Sequence, residues 1–155
     1  MIERTLVLVK PDGVQRGLIG EIIGRFEKKG LKLSGLKMMS LDDAILDSHY
    51  AHLSEKPFFK DIKDFMKSSP IVAMVWEGSK GTVAAVRILV GPTKGHEASA
   101  GTIRGDFGLS GSNNIVHASD SVNNGALEVN RFFLEDELFD YERTVTAHIY
   151  SKEER

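Results

Sequence analysis

The stretch Asn114-Ile115-Val116-His117-Ala118-Ser119-Asp120-Ser121 concentrates more potentially reactive side chains than any other part of this chain. Alternation in an extended segment would turn His117, Ile115 and Ser119 to one side and Asn114, Val116 and Ala118 to the other. A histidine that ends a strand just ahead of a helix can attack with one imidazole nitrogen while an acceptor holds the other. The helix that follows, capped by Asp120 or Ser121, would add a potential favourable to phosphate. The same residues also suit a hydrogen-bonded core histidine followed by an ordinary helix cap.

A second cluster, Gly101-Thr102-Ile103-Arg104-Gly105-Asp106, sets an arginine close between glycines, where a guanidinium can grip an anion in bidentate fashion. Its bland alternative is a surface turn with a solvated Arg–Asp pair. Lys10, fixed by Pro11 at the end of an apolar segment, is a third candidate ligand for phosphate. His49-x-x-His52 has helical chelate spacing, but no carboxylate or third ligand stands beside it in sequence, so no metal site is expected there. No two glycines are separated by a single residue, which excludes G-x-G-x-x-G. Gly30 and Gly35 have P-loop spacing, yet Leu36 stands where lysine is required. Any phosphate chemistry must therefore dispense with both standard glycine cradles.

The elements that must position these groups can be read from periodicity. Thr5 to Val9 is a strand ending in a turn at Lys10-Pro11-Asp12-Gly13. Ile19, Ile22, Ile23 and Phe26 mark an amphipathic helix that stops at Gly30. Lys32 to Met39 is a second strand. Ser40 and Asp43 read as a capping box for a helix from Leu41 towards Leu53, and another helix covers Phe59 to Lys67. Ile71 to Trp76 is a short apolar run that suits a buried strand. Thr82 to Val90 is ambiguous, because its valines have helical spacing and a β-branched character. Gly91 to Ser112 is a long Gly- and Ser-rich loop, the kind that usually serves function. Ile115 to Ala118 is a strand, and a helix carrying Val122, Leu127, Val129 and Phe132 follows. This alternation predicts an α/β sandwich of the split βαβ type, with helices on one face of the sheet.

The bulk properties agree with an ordinary soluble globular protein. The chain has 155 residues, 41% hydrophobic and 27% charged, enough for one domain with a sizeable core. Twenty basic against twenty-two acidic residues, a formal charge of −2, argues against a polyanion as main partner. The absence of cysteine excludes disulfides, thiolate metal sites and cysteine nucleophiles. The start, Met1-Ile2-Glu3-Arg4, shows no basic region followed by a cleavable apolar stretch, and no apolar run approaches the ~20 residues of a bilayer span. A cytoplasmic protein is expected.

Taken together, Lys10-Pro11-Asp12-Gly13-Val14-Gln15-Arg16-Gly17, the Gly101–Asp106 cluster and the Asn114–Ser121 cluster closely resemble the nucleoside diphosphate kinase family. His49-Tyr50, Pro57-Phe58-Phe59 and Val72-Ala73-Met74-Val75-Trp76-Glu77-Gly78 extend the resemblance from Thr5 to Tyr150. It implies a single domain over residues 1–155. Its fold would be an α+β sandwich, a ferredoxin-like βαββαβ core with a four-stranded antiparallel sheet covered by helices, and Thr82 to Val90 would be helical.

The activity implied is reversible transfer of a γ-phosphoryl from a nucleoside triphosphate to a nucleoside diphosphate, by a ping-pong route through a phosphohistidine at His117. Lys10, Arg87, Thr93 and Arg104 match residues that hold the phosphates, and Asn114 with Lys10 matches groups that reach the sugar 3′-hydroxyl. Phe58 matches the aromatic under the base, and Tyr50, Ser119 and Glu128 match residues that support the histidine. Mg²⁺ would arrive with the nucleotide, no other metal is implied, and the chain would form a homo-oligomer, a hexamer in preference to a tetramer. Neither a membrane nor an obligatory nucleic acid is implied as partner. Ala118, Asn113, Lys56, Pro92 and the proline-free loop from Lys94 to Ala100 depart from the commonest family pattern, without touching the main site positions. The rival reading is a ferredoxin-like domain that binds nucleotides or nucleic acid without catalysis. It gains nothing from the sequence, since the nucleophile and phosphate ligands are all present and no aromatic RNA-binding strand occurs.

Overall fold

β-branched and leucine residues from Leu6 to Val9 are wholly buried, and they form the centre of strand β1 (Ile2–Val9). The computed structural model describes residues 1–155. β1 lies in an antiparallel sheet with β2 (Lys32–Met39), β3 (Ile71–Ser79) and β4 (Val116–Ala118), in the order β2-β3-β1-β4. The helices are α1 (Pro11–Gln15), α2 (Ile19–Lys29), α3 (Asp43–His49), α4 (Phe59–Lys67), α5 (Thr82–Val90), α6 (Ile103–Phe107), α7 (Val122–Phe132) and α8 (Thr146–Ile149). With α2 joining β1 to β2 and α5 lying between β3 and β4, this is the ferredoxin-like βαββαβ arrangement. No helix is long and apolar enough to cross a membrane.

Helices cover both faces of the sheet, a correction to the one-faced layering expected from pattern. Val7, Val9, Met74 and Trp76 pack on one face with Ile22 and Phe26 of α2 and with Val86 and Val90 of α5. Leu6, Leu8, Ala73 and Val75 pack on the other with Leu46 of α3, Met66 of α4 and Phe132 of α7. Two cores explain why the middle strand β3 is buried at every position and reads as a continuous apolar run rather than an alternation. Burying side chains such as Phe26, Ile22 and Leu46 contributes roughly 1.5–3 kcal/mol each.

Local signals account for most boundaries. Gly30 ends α2 at φ 99°, left-handed backbone that glycine adopts without a Cβ penalty. Asp42, not Ser40, caps α3: its side chain accepts from Ile45 N at 2.9 Å. The expected continuous helix to Leu53 breaks at Tyr50 into a 3-10 turn, Ala51–Leu53. The Pro11 turn winds into the short helix α1, with proline in its first turn. The long Gly91–Ser112 loop is not structureless, since it holds the 3-10 turn Gly95–Glu97 and α6.

α5 is helical despite its β-branched residues because tertiary contacts override propensity. Its valines bury against the sheet, and a residue far away in sequence satisfies its first turn. Glu3 on β1 accepts from Gly81 N at 2.9 Å and Val83 N at 3.0 Å.

Candidate active site

The short strand β4 pairs His117 with Leu8, Val116 with Val9 and Ala118 with Val7. Val116 and Ala118 therefore join the core beside α2 and α5, and His117 faces the opposite side, where α3 and α7 lie. Ile115 breaks the expected alternation. It sits at φ 74°, stays outside the strand, and buries in the same core as Val116. Asp12 Oδ2 accepts from Ile115 N at 3.0 Å and Lys10 N donates to Ile115 O at 2.8 Å, so the start of α1 and its capping residue hold the strained residue from both sides. α1 approaches so closely that a Cβ at Gly13 would stand 3.0 Å from Ile115 O. Lys-Pro-Asp-Gly is thus a clamp on the histidine segment, as well as the source of Lys10.

α7 supplies the partner of the histidine. Ser121 caps this helix, accepting from Asn124 N at 3.2 Å, and two turns later Glu128 reaches back to β4. Glu128 Oε2 is 3.0 Å from His117 Nε2 and accepts from Ser119 Oγ at 2.5 Å. The Ser119 hydroxyl is buried and in turn accepts from Leu6 N at 3.1 Å, which ties the arrangement to β1. Burial alone would raise the Glu128 carboxyl, but hydrogen bonding and charge from His117, with Ser119 and His49, outweigh it and hold the group down at about 2. An ionised Glu128 can only accept, so His117 Nε2 carries the proton in this contact. Nδ1 makes no hydrogen bond to the protein.

A cavity of about 560 Å³ opens on His117. Lys10, Tyr50, Arg87, Thr93, Arg104 and Asn114 line it, and Glu128 does as well. Lys10 Nζ donates to Asn114 Oδ1 at 2.8 Å, while the Asn114 amide donates to Thr93 O at 2.9 Å and Gly111 O at 3.0 Å. Asn114 therefore joins β1 to the long loop before any ligand enters. Burial first, then the neighbouring Arg104 charge, pushes the Lys10 ammonium down to about 8, with Asp12 opposing. Arg87 reaches over from α5 and donates to Ala118 O at 3.1 Å.

Arg104 differs from the expected free phosphate ligand. It is buried and donates to Asn114 O at 3.1 Å, Gly91 O at 3.1 Å and Val116 O at 2.6 Å. These three bonds stitch the long loop to β4, leaving part of its five-donor fork for the cavity. Thr102 caps α6 and so orients Arg104, its side chain accepting from Gly105 N at 2.9 Å.

Tyr50 is buried beside the site, its hydroxyl pushed up to about 12 by burial and then by Glu128, with Arg104 opposing. Its ring meets His49 edge-on at 4.7 Å. Phe58 stands outside the cavity lining, half exposed at the start of α4.

Two residues in the site were not singled out for it by sequence reasoning. His49 is not one of a solvated pair with His52; it is buried, and its ring lies 4.6 Å from that of His117. Arg131, one turn beyond Glu128 on α7, donates to His49 Nδ1 and also lines the cavity. The i, i+3 spacing of Glu128 and Arg131 places both on one helix face and was the available signal. His49, His117 and Glu128 bring potential metal-ligating atoms within 4.8 Å of one another, a third ligand that spacing alone did not reveal. In the folded chain these atoms are engaged in the hydrogen bonds just described.

The residues 3–138 match the family model described as nucleoside diphosphate kinase. Among curated relatives, a nucleoside diphosphate kinase of Parabacteroides distasonis is 54% identical over 153 residues, covering 99% of both chains. One from Archaeoglobus fulgidus is 51% identical over 151 residues, covering 97% of this chain and 99% of that one. Among solved structures, a halophilic nucleoside diphosphate kinase from Halobacterium salinarum, in complex with CDP, superposes with a TM-score of 0.93 at 46% identity. That match covers 97% of this chain and 99% of the other. A Babesia bovis family protein gives a TM-score of 0.92 at 49% identity, covering 96% of this chain and 99% of its own. With a histidine held by Glu128 beside a cation-lined cavity, and with these relatives along nearly its whole length, the chain belongs to the nucleoside diphosphate kinase family.

Proposed function

We propose that residues 1–155 act as one nucleoside diphosphate kinase domain in which His117 Nδ1 is the phosphoryl acceptor. The observation that carries this reading is the 3.0 Å contact of His117 Nε2 with Glu128, which leaves the Nδ1 lone pair free at the cavity. Nδ1 attacks the γ-phosphorus in line. The P–N bond forms as the bond to the β,γ-bridging oxygen breaks, and the nucleoside diphosphate departs with that oxygen. A β-phosphate oxygen of the second diphosphate then attacks phosphorus, and the electron pair of the P–N bond returns to Nδ1. Glu128 stabilises the ring as it becomes cationic, with Ser119 holding the carboxylate. Lys10, Arg87 and the free edge of Arg104 neutralise charge spreading over the phosphate oxygens, with Thr93 beside them. Lys10 and Asn114 are the groups within reach of a sugar hydroxyl, and Phe58 offers a face on which any base can stack. Tyr50 backs the site through His49.

The donor set favours a divalent cation brought by the substrate. The carboxylates at the cavity, Glu128 and Asp120, are engaged with His117, Ser119 and Asn124, so no oxygen cage stands ready to hold a resident ion. Mg²⁺ bound to the nucleotide phosphates would supply charge neutralisation there. Apolar Leu36 and Met38 lie exposed on the edge strand β2, which supports a homo-oligomer; a hexamer in preference to a tetramer rests on the family resemblance alone. Light scattering coupled to gel filtration should return six times the chain mass, and a monomer would refute the assembly.

Incubation with γ-labelled ATP and Mg²⁺, followed by denaturation, tests the chemistry. An acid-labile, alkali-stable label that added GDP discharges is the expected outcome, absent from His117→Ala even though that variant folds and binds nucleotide. Folded protein that binds nucleotide yet takes no transferable label would favour a non-catalytic binding domain.

A further inference from the structure

Arg131 Nη1 stands 3.2 Å from His49 Nδ1, and a guanidinium has no acceptor, so Nδ1 must accept and the ring proton must sit on Nε2. That proton is buried without a partner. Glu128 Oε1, meanwhile, lies 3.9 Å from the same Nδ1. A His49 free to choose would place its N–H on the side of the carboxylate and not strand it in the core, since an orphaned buried donor is costly. The carboxylate is the one that His117 needs. Two imidazoles, 4.6 Å apart and edge-on, thus flank one glutamate, and only one of them donates to it.

We infer that Arg131 is a positioning residue for phosphoryl transfer: it holds His49 as a hydrogen-bond acceptor and so reserves Glu128 for His117. This rests on the reading of His117 as the phosphoryl acceptor. Arg131 acts through His49 and touches no reacting atom. Its position one turn after Glu128 lets a single helix face supply both the carboxylate and the group that keeps a competitor from it. Burial, then the neighbouring His117 charge, pushes the His49 imidazole down to about 3, Glu128 opposing and Arg131 and His52 assisting; His49 therefore competes as a neutral tautomer, without needing to be protonated. Without Arg131, an Nδ1–H tautomer would donate to Glu128 Oε1, draw the carboxylate towards α3, and lengthen its bond to His117.

The test compares the full chain with Arg131→Leu and Arg131→Lys, in two measurements. Long-range ¹H–¹⁵N spectra read the tautomer of each histidine, and rapid-quench single turnovers with MgATP read phosphohistidine formation. The unsubstituted protein should show His49 protonated on Nε2. Arg131→Leu should switch it to Nδ1 and slow phosphorylation about tenfold, in the range of lost supporting hydrogen bonds around a reactive histidine. Nucleotide half-saturation should change by less than about twofold, and Arg131→Lys, which keeps a donor, should restore tautomer and rate. On a His49→Phe background, Arg131→Leu should cause no further loss. The proposal is overturned if Arg131→Leu leaves the tautomer unchanged, or switches it with no effect on the rate. Absence of label on the unsubstituted protein would instead refute the reading of His117, and with it this role; a labelled parent with an unaffected variant refutes only the role of Arg131.

Discussion

Lys10 is the residue on which pH should act most visibly. Its ammonium is pushed down from 10.5 to about 8, so the folded chain loses a proton there in a range where the unfolded chain keeps it. Between these values the unfolded state binds more protons, and the contribution of Lys10 to stability rises with pH. Phosphate binding has the opposite sign, because the charge that holds phosphate disappears over the same window. KM for MgATP should therefore climb as pH rises beyond about 8, and a Lys10→Gln variant should lack that limb; parallel profiles for the two proteins would remove Lys10 from the phosphate site. Arg104 carries a different expectation. Three of its bonds go to carbonyls of the fold, so Arg104→Ala should cost stability, about 3 kcal/mol, as well as nucleotide affinity. Chemical denaturation separates the two; an unchanged midpoint would make Arg104 a ligand alone.

Between elements, the decisive contact is the one by which the start of α1 holds the segment before β4. Ile115 is β-branched and sits at φ 74°, a conformation that costs about 1–3 kcal/mol and persists only where the surroundings impose it. Asp12 is that imposition, through its bond to Ile115 N. Asp12→Ala leaves a buried N–H unpaired and should destabilise the protein by about 2 kcal/mol, with His117 less well aligned and phosphorylation slower. Asp12→Asn keeps an acceptor oxygen and should recover most of the loss. A thermal unfolding series with both variants checks this, and equal melting of Asp12→Ala and the parent would show that Ile115 is held by packing alone. Elements were legible in the sequence where their signals were local. The apolar period of α2, its Gly30 stop and the Phe59–Lys67 helix stand as read. α5 was ambiguous because what makes it a helix is the Glu3 carboxylate on β1, almost eighty residues earlier, and the burial of its valine face against the sheet.

At the scale of the whole molecule the charge is nearly balanced, at −2, yet Lys10, Arg87 and Arg104 converge on one cavity. That focusing in a low-dielectric cleft attracts polyphosphate and weakens with salt. Raising ionic strength from about 0.05 to about 0.5 M should weaken triphosphate binding about tenfold at constant Mg²⁺, read by calorimetry; a salt-independent affinity would mean that hydrogen bonds and stacking dominate. The sequence by itself pointed to His117 and the candidate phosphate ligands through their resemblance to the family, and it ordered the strands and helices apart from α5, because those signals are written in side-chain identity or in a period of a few residues. Only the tertiary structure decided which histidine Glu128 contacts, that Arg104 is tied to three backbone carbonyls of the fold, and that His49 and Arg131 line the same cavity. Those choices depend on angles and distances across the α3, β4 and α7 packing, and no local pattern along the chain encodes them.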